Sequence, residues 1–329
     1  MRTIIAVSAV SVLLFLNCGP SDRTLKLQEA ARTMIGTVPE SVPGAQDTKE
    51  QIALGQKLYN DTILSADQTI SCNSCHHIEN NGPGVDSMRV STGIRGQTGN
   101  RNAPTVWNAG FHVAQFWDGR AKNLEEQAGK PILNPIEMGM PGEADVIDRL
   151  RNSRDYPDLF RAAFPDDPNP LTYTNLTRAI AASERTLITS DRFDRFIKGD
   201  VNALTGRELK GFSLFLELGC ISCHNGRLIG GNSFRRLGGV VAYDNVTDTG
   251  RFAITGVDAD RFVFKVPSLR NIAVTGPYFH DGSRPDLENA IATMGRLQLG
   301  KNLNRLEIAY IADFLRTLTD PRLQKPEAR

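Results

Sequence analysis

Apolar residues recur at helical spacing in four stretches of the chain. Ile52, Leu54 and Leu58 do so in Lys49–Tyr59, and Leu209, Phe212, Phe215 and Leu216 in Arg207–Leu218. A three-to-four-residue period marks an amphipathic helix. Tyr173–Ile188 and Arg305–Leu318 give two more. The order occurs twice: a helix, a short loop with two cysteines, a long stretch rich in Gly, Pro and Asn, and a second helix. The long stretches show little period-2 alternation, so they predict loops rather than sheet. The fold class expected is mostly α, with two similar units in tandem and long connecting loops. The seam falls near Ser190–Leu204, which gives units of 48–195 and 196–329.

The cysteines change this picture most. Cys72-Asn-Ser-Cys75-His76 and Cys220-Ile-Ser-Cys223-His224 each follow one of the leading helices. The spacing suits covalent attachment of a c-type haem, with two thiols forming thioethers and the adjacent His binding iron. A redox CxxC pair or half of a zinc site is the rival, but both copies carry the His and neither lies in a βαβ pattern. The expected fold is thus two cytochrome c-like haem domains, with two covalent haem c groups.

Cys18 has another setting. It follows Arg2 and the apolar run Ile4–Leu16, which is too short to span a bilayer and suits a signal peptide. Leu16-Asn17-Cys18-Gly19 has the form of a lipobox, although Asn17 is larger than the usual residue there. Residues 1–18 are therefore expected to be a signal peptide with a lipidated Cys18, and 19–47 a tether. This predicts a periplasmic or outer-envelope protein whose membrane contact is only its lipid anchor. Removal of residues 1–17 takes away Arg2 and leaves basic and acidic residues equal in number. There is no basic excess to suggest nucleic acid.

Several strings extend the reading: Arg101-Asn-Ala-Pro-Thr105, Ala114-Gln-Phe-Trp-Asp-Gly-Arg120, Glu126-Gln127, Pro135-Ile-Glu-Met138, Asp248-Thr-Gly-Arg-Phe252, Val266-Pro-Ser-Leu-Arg-Asn271, Pro277-Tyr-Phe-His-Asp-Gly282 and Thr293-Met-Gly-Arg296. In this order and spacing, from about Ala53 to Thr319, the chain resembles the bacterial dihaem cytochrome c peroxidases and the wider group that includes the MauG proteins.

The resemblance implies a division of labour. The haem on His76 would react with peroxide, with Glu137 as the distal acid and Gln127 as an amide in the same pocket. A carboxylate there can take a proton from peroxide and return it to the departing oxygen. The haem on His224 would hold Met294 as its second axial ligand, which raises its potential and makes it the point where electrons enter. Trp117 would lie between the haems. Asn102, Thr275 and Pro277 would hold one calcium ion between the domains, through oxygens suited to a hard cation. A homodimer is expected by the same resemblance, as is a small c-type cytochrome or cupredoxin as donor. His280 lies in a matching string, whereas His112 and His77 read as ordinary surface or packing residues.

One position departs from the pattern. Many such proteins carry a capping His in a Ser-x-Gly-His string, but here the string is Ser91-Thr-Gly-Ile94. Ile94 has no ligand atom, so a peroxidatic haem active without prior reduction is expected, unless Met88 or another group caps it. The function expected is reduction of hydrogen peroxide to water with electrons from an exported redox protein. A plain electron-transfer dihaem cytochrome and a MauG-like oxidase of a protein partner are the alternatives. Met294, where MauG-type members have Tyr, favours the peroxidase.

Overall fold

The computed structural model describes residues 20–323. The signal peptide and Cys18 lie outside the described residues. Twelve α-helices occur among them: α1 Asp22–Met34, α2 Lys49–Asn60, α3 Cys72–Cys75, α4 Leu124–Leu133, α5 Glu143–Arg151, α6 Tyr156–Ala163, α7 Tyr173–Glu184, α8 Arg192–Lys198, α9 Gly206–Glu217, α10 Phe252–Thr255, α11 Leu287–Leu299 and α12 Arg305–Arg316. The one sheet among the described residues is a two-stranded antiparallel ribbon, β1 Phe234–Arg236 with β2 Val263–Lys265. The chain is mostly helical, as expected.

Two hydrophobic cores organise the helices. The first gathers Leu54, Leu58, Ile132, Phe160, Leu176 and Ile180 from α2, α4, α6 and α7. The second gathers Phe193, Phe196, Phe212, Phe215, Phe314 and Leu315 from α8, α9 and α12. Helix α8 therefore packs with the second core, although the seam expected from sequence runs through it. The helices ahead of the cysteines start alike. Thr48 forms a capping box with Gln51, and Thr205 one with Glu208, so two of the free N–H groups at each helix start are satisfied.

A glycine sets each central helix crossing. A Cβ on Gly55 of α2 would fall on the carbonyl oxygen of Ala179 in α7, and one on Gly211 of α9 on that of Tyr310 in α12. Only a residue without a side chain lets the backbones approach so closely. The crossings in turn hold the ends of α2 and α9 that lead to the cysteine motifs.

The repeat continues through the loops. Asn108 and Asn271 both adopt a left-handed conformation, φ 63° and 64°. Each precedes a single 3-10 turn, Ala109–Phe111 or Ile272–Val274. Their side-chain oxygens accept from Thr189 N and Asp320 N, each at 3.0 Å. Eight residues further on, Phe116 and Phe279 also have positive φ, 65° and 71°, which is rare for a bulky residue.

The described part of the expected tether, residues 20–47, is not a simple tether. It begins with α1, capped by Ser21, whose Leu27 and Ala31 enter the second core. Gln28 donates to Phe196 O at 2.7 Å and Arg32 to Ile197 O at 2.8 Å. The chain thus crosses from the second core to the first before α2. Helices α4, α5, α6 and α11 likewise occupy stretches that read as loop.

The crossing glycines give a direct check. Gly55→Ala and Gly211→Ala should each destabilise the protein by about 1–3 kcal/mol or more, the range for overpacking a close contact. Denaturant unfolding of the two variants measures this, and parent-like midpoints would show that the crossings are loose.

Candidate functional site

Two sites follow from the two cysteine motifs. In the second, a cavity of 290 Å³ is lined by Cys220, Cys223, His224 and Met294. Its other walls are largely apolar, and among the described residues no Asp or Glu lines it. His224 Nδ1 lies 3.2 Å from Ile229 O, to which it donates. That bond fixes the tautomer and leaves Nε2 free for a metal. Burial pushes the His224 pKa down to about 4, so the ring is neutral and able to ligate. The cysteines are free thiols.

Met294 enters this cavity from α11, on which Arg284 Nε donates to Thr293 Oγ1 at 3.1 Å. A Cβ on Gly295 would meet Leu303 at 2.9 Å, so the bare glycine lets this turn of α11 sit close to Leu303. The other methionines among the described residues lie elsewhere. Met138 and Met140 are buried in the first core, and Met34 and Met88 are exposed.

In the first motif, α3 carries Cys72 and Cys75, and His76 follows. Tyr59 of α2 donates to His76 O at 2.7 Å and ties the motif to the core. His76 Nδ1 is buried and no partner within hydrogen-bond distance is present among the described residues. Burial lowers its pKa, and the carbonyls of Pro104 and Gly84 oppose that shift. Behind the motif stands Glu184, whose Oε2 is buried without a partner and whose pKa burial pushes up to about 8.

Glu137 sits near this motif, where its charge acts on both Cys72 and Cys75. Burial raises its pKa, while Arg120 and a bond from Asn134 Nδ2 to Oε1, 2.8 Å, pull it back. Gln127 lies on α4, and Asn134 caps that helix seven residues later. Residues seven apart share a helix face, so Gln127 and the Asn134–Glu137 pair are on one side of α4. The loop bearing Ile94 is docked here: Ile94 N donates to Glu137 O at 3.0 Å, and Ile94 is 2% exposed beside Gly139.

Trp117 lies at the second site. It lines the second cavity and donates from Nε1 to Asn102 O at 2.9 Å. Three residues later Arg120 lies over the Phe116 ring, 3.6 Å from its centroid, and acts on Glu137. His280 meets Trp117 edge-on at 6.4 Å and stacks on Phe264 at 4.2 Å. Asn102, Thr275 and Pro277 all line the same cavity. Asn102 Nδ2 donates to Met88 O at 2.9 Å, which commits the amide nitrogen and leaves its oxygen for a cation. No group of three His, Cys, Asp or Glu suited to a metal occurs among the described residues, so amide and carbonyl oxygens would have to hold such an ion.

Two features escaped the sequence reading. His112 packs in the wall of the second cavity, where its Nδ1 lies 3.0 Å from Lys265 Nζ, a pairing the sequence did not show. Arg101 joins the halves, with Nη1 2.5 Å from Asp118 and Nε 2.6 Å from Asp248. The doubled Phe-x-Asp-Gly string, at Phe116–Gly119 and Phe279–Gly282, is the sequence signal that could have marked this seam.

Known proteins resemble this chain over most of its length. The di-haem cytochrome c peroxidase family model matches residues 49–202. The cytochrome c551 peroxidase of Nitrosomonas europaea is 44% identical over 293 residues, which cover 88% of this chain and 85% of that protein. The cytochrome c551 peroxidase of Pseudomonas aeruginosa is 41% identical over 310 residues, 91% of this chain and 89% of that one. A crystal structure of a MauG-like protein associated with microbial copper homeostasis superposes with a TM-score of 0.74 at 31% identity, covering 89% of this chain and 96% of that one.

The pair of opposing influences on Glu137 can be separated. The Asn134 amide favours the ionised carboxylate, so Asn134→Ala should raise the Glu137 pKa further. Difference infrared titration against Glu137→Gln would follow the carboxyl band. A pKa that stays put or falls would mean that the amide does not act on the carboxylate.

Proposed function

The chain belongs to the dihaem cytochrome c peroxidase family and is a peroxidase enzyme, and on that premise we propose how its own residues divide the work. The substrate is hydrogen peroxide, reduced to two waters by two electrons and two protons. When bound, the haems supply the reactive iron at His76 and, at His224 and Met294, the electron store fed by a small exported c-type cytochrome or cupredoxin. The residues at both motifs fit such groups: free thiols, neutral imidazoles, and Met294 lining the same cavity as His224.

Glu137 moves the proton. Its Oε1 is occupied by Asn134, so Oε2 is the atom left to take a proton from peroxide and return it to the departing oxygen. Burial favours the neutral acid, and Arg120 with Asn134 favours the carboxylate. A group balanced in this way can both accept and give a proton. Gln127 orients peroxide from the same side of α4. Trp117 fills the seam between the sites and shortens the electron path. Asn102, Thr275 and Pro277 hold one calcium ion beside it.

Ile94 carries the reading on gating. It is packed beside Gly139 and has no atom able to bind iron. His112 lies at the second cavity, and the Met88 side chain is exposed. These placements support a first haem that is open in the oxidised protein. The tandem units, export, a lipid anchor at Cys18 and a homodimer complete the proposal; among the described residues no helix is long and apolar enough to cross a membrane.

Glu137, half-buried beside the first motif, is the observation that favours a peroxidase over a plain electron carrier, which gains nothing from it. Met294 in the wall of the His224 cavity favours it over a MauG-like oxidase. Glu137→Gln should keep both haems and lose peroxide turnover by about 10² to 10⁴, the usual contribution of one acid–base group. Near-parent turnover with a reduced donor would assign the proton transfer to another group.

A further inference from the structure

His112 and Lys265 have no part in the function proposed above, yet the fold builds them into the second cavity. Their places follow from the internal repeat. Pro104–Asn108 and Pro267–Asn271 share the pattern Pro-Thr/Ser-x-x-Asn. Counting back two residues pairs Asn102 with Lys265, and counting on four pairs His112 with Thr275. The backbone agrees: Asn102 N donates to His280 O and Lys265 N to Trp117 O, both at 2.7 Å. One side of the seam thus offers Asn102 and Thr275 to a cation, whereas the other carries a cation of its own.

That cation lacks a counter-charge. Lys265 is 7% exposed, and among the described residues no carboxylate forms an ion pair with it. The acid whose charge reaches it is Asp118, which is already held by Arg101 at 2.5 Å and Arg120 at 3.0 Å. An unpaired buried ammonium is costly, and burial accordingly pushes the amine down to about 7. Its nearest polar partner, His112 Nδ1, accepts a bond but brings no negative charge. With Nδ1 accepting, His112 carries its proton on Nε2, which is also buried and has no partner among the described residues. The cavity wall therefore presents donors and a cation where it has no anion.

We propose that Lys265, supported by His112, is the carboxylate-binding corner of this cavity and receives a propionate of the haem attached to Cys220 and Cys223. The inference rests on the haem reading above. The propionate edge would then face the seam and Trp117, and Arg235, which lines the cavity at an exposed position, is the second cation available. A fixed positive charge beside the propionate favours reduced iron, because reduction removes positive charge from the same neighbourhood. Lys265 is a positioning residue that raises the potential of this haem.

The test is a redox titration of holoprotein variants, with the near-infrared band of Met-ligated ferric haem followed in each. Lys265→Gln should shift the midpoint of that haem downward, and Lys265→Arg should return it most of the way. His112→Gln should shift the propionate bending bands in the resonance Raman spectrum and lower the midpoint by less than Lys265→Gln. An unchanged midpoint in Lys265→Gln, with the near-infrared band intact, overturns the proposal and leaves the functional reading standing. Absence of the band from the parent protein would instead remove the ligand assignment on which the proposal rests. If Lys265→Gln fails to take up haem, His112→Gln decides: unchanged propionate bands and an unchanged midpoint overturn the proposal.

Discussion

Two main-chain hydrogen bonds across the seam hold the rest of the molecule in place. Asn102 N reaches His280 O and Lys265 N reaches Trp117 O, at the same 2.7 Å. Each joins the backbone of one half to a loop of the other, and all four residues line the second cavity. Buried N–H groups must find acceptors, so this exchange fixes how the halves meet. Everything proposed for the seam depends on it: Trp117 between the sites, the oxygens offered to calcium, and the ammonium beside the second cavity. Arg101 reinforces it with charge, through Asp118 on its own half and Asp248 on the other.

Buried charge is used in a second place with a different result. Arg270 is fully buried, with Nη1 2.7 Å from Asp191 and Nη2 3.1 Å from Asp194. It also donates to Gly36 O at 3.2 Å and Arg227 O at 3.0 Å. One guanidinium thus ties the end of the α1 segment, helix α8 and the loop after His224. Removing one member of such a group leaves the others uncompensated, which costs more than the group contributes net. The contrast with Lys265 is informative: where the protein supplies its own anions the cation is complete, and at the cavity wall it is not.

Much of this was legible in the sequence. The cysteine motifs, the two leading helices and the string holding Met294 have local patterns that need no partner to be read. Helix α1 was not legible, because its buried face is only Leu27, Gln28 and Ala31, too sparse to stand out from a polar segment. Gly55 and Gly211 carry no local signal, because the carbonyls they accommodate belong to α7 and α12. Glu137 was named from a string, but its balance of burial, Arg120 and Asn134 comes from the docking of loops. The His112–Lys265 pair joins residues 153 apart, and no local pattern announces it. The repeat that relates it to Asn102 and Thr275 was present in the sequence all along, in the doubled Pro-Thr/Ser-x-x-Asn and Phe-x-Asp-Gly strings.

The central claim is that two similar halves hold two unlike irons, one open beside Glu137 and one closed by Met294. Electron paramagnetic resonance of the fully oxidised protein addresses it most directly. The account predicts one high-spin and one low-spin ferric haem in equal amounts, with peroxide reacting before any electron is added. Two low-spin signals, and no reaction until the second haem is reduced, would contradict it and show that a ligand other than residue 94 closes the first site.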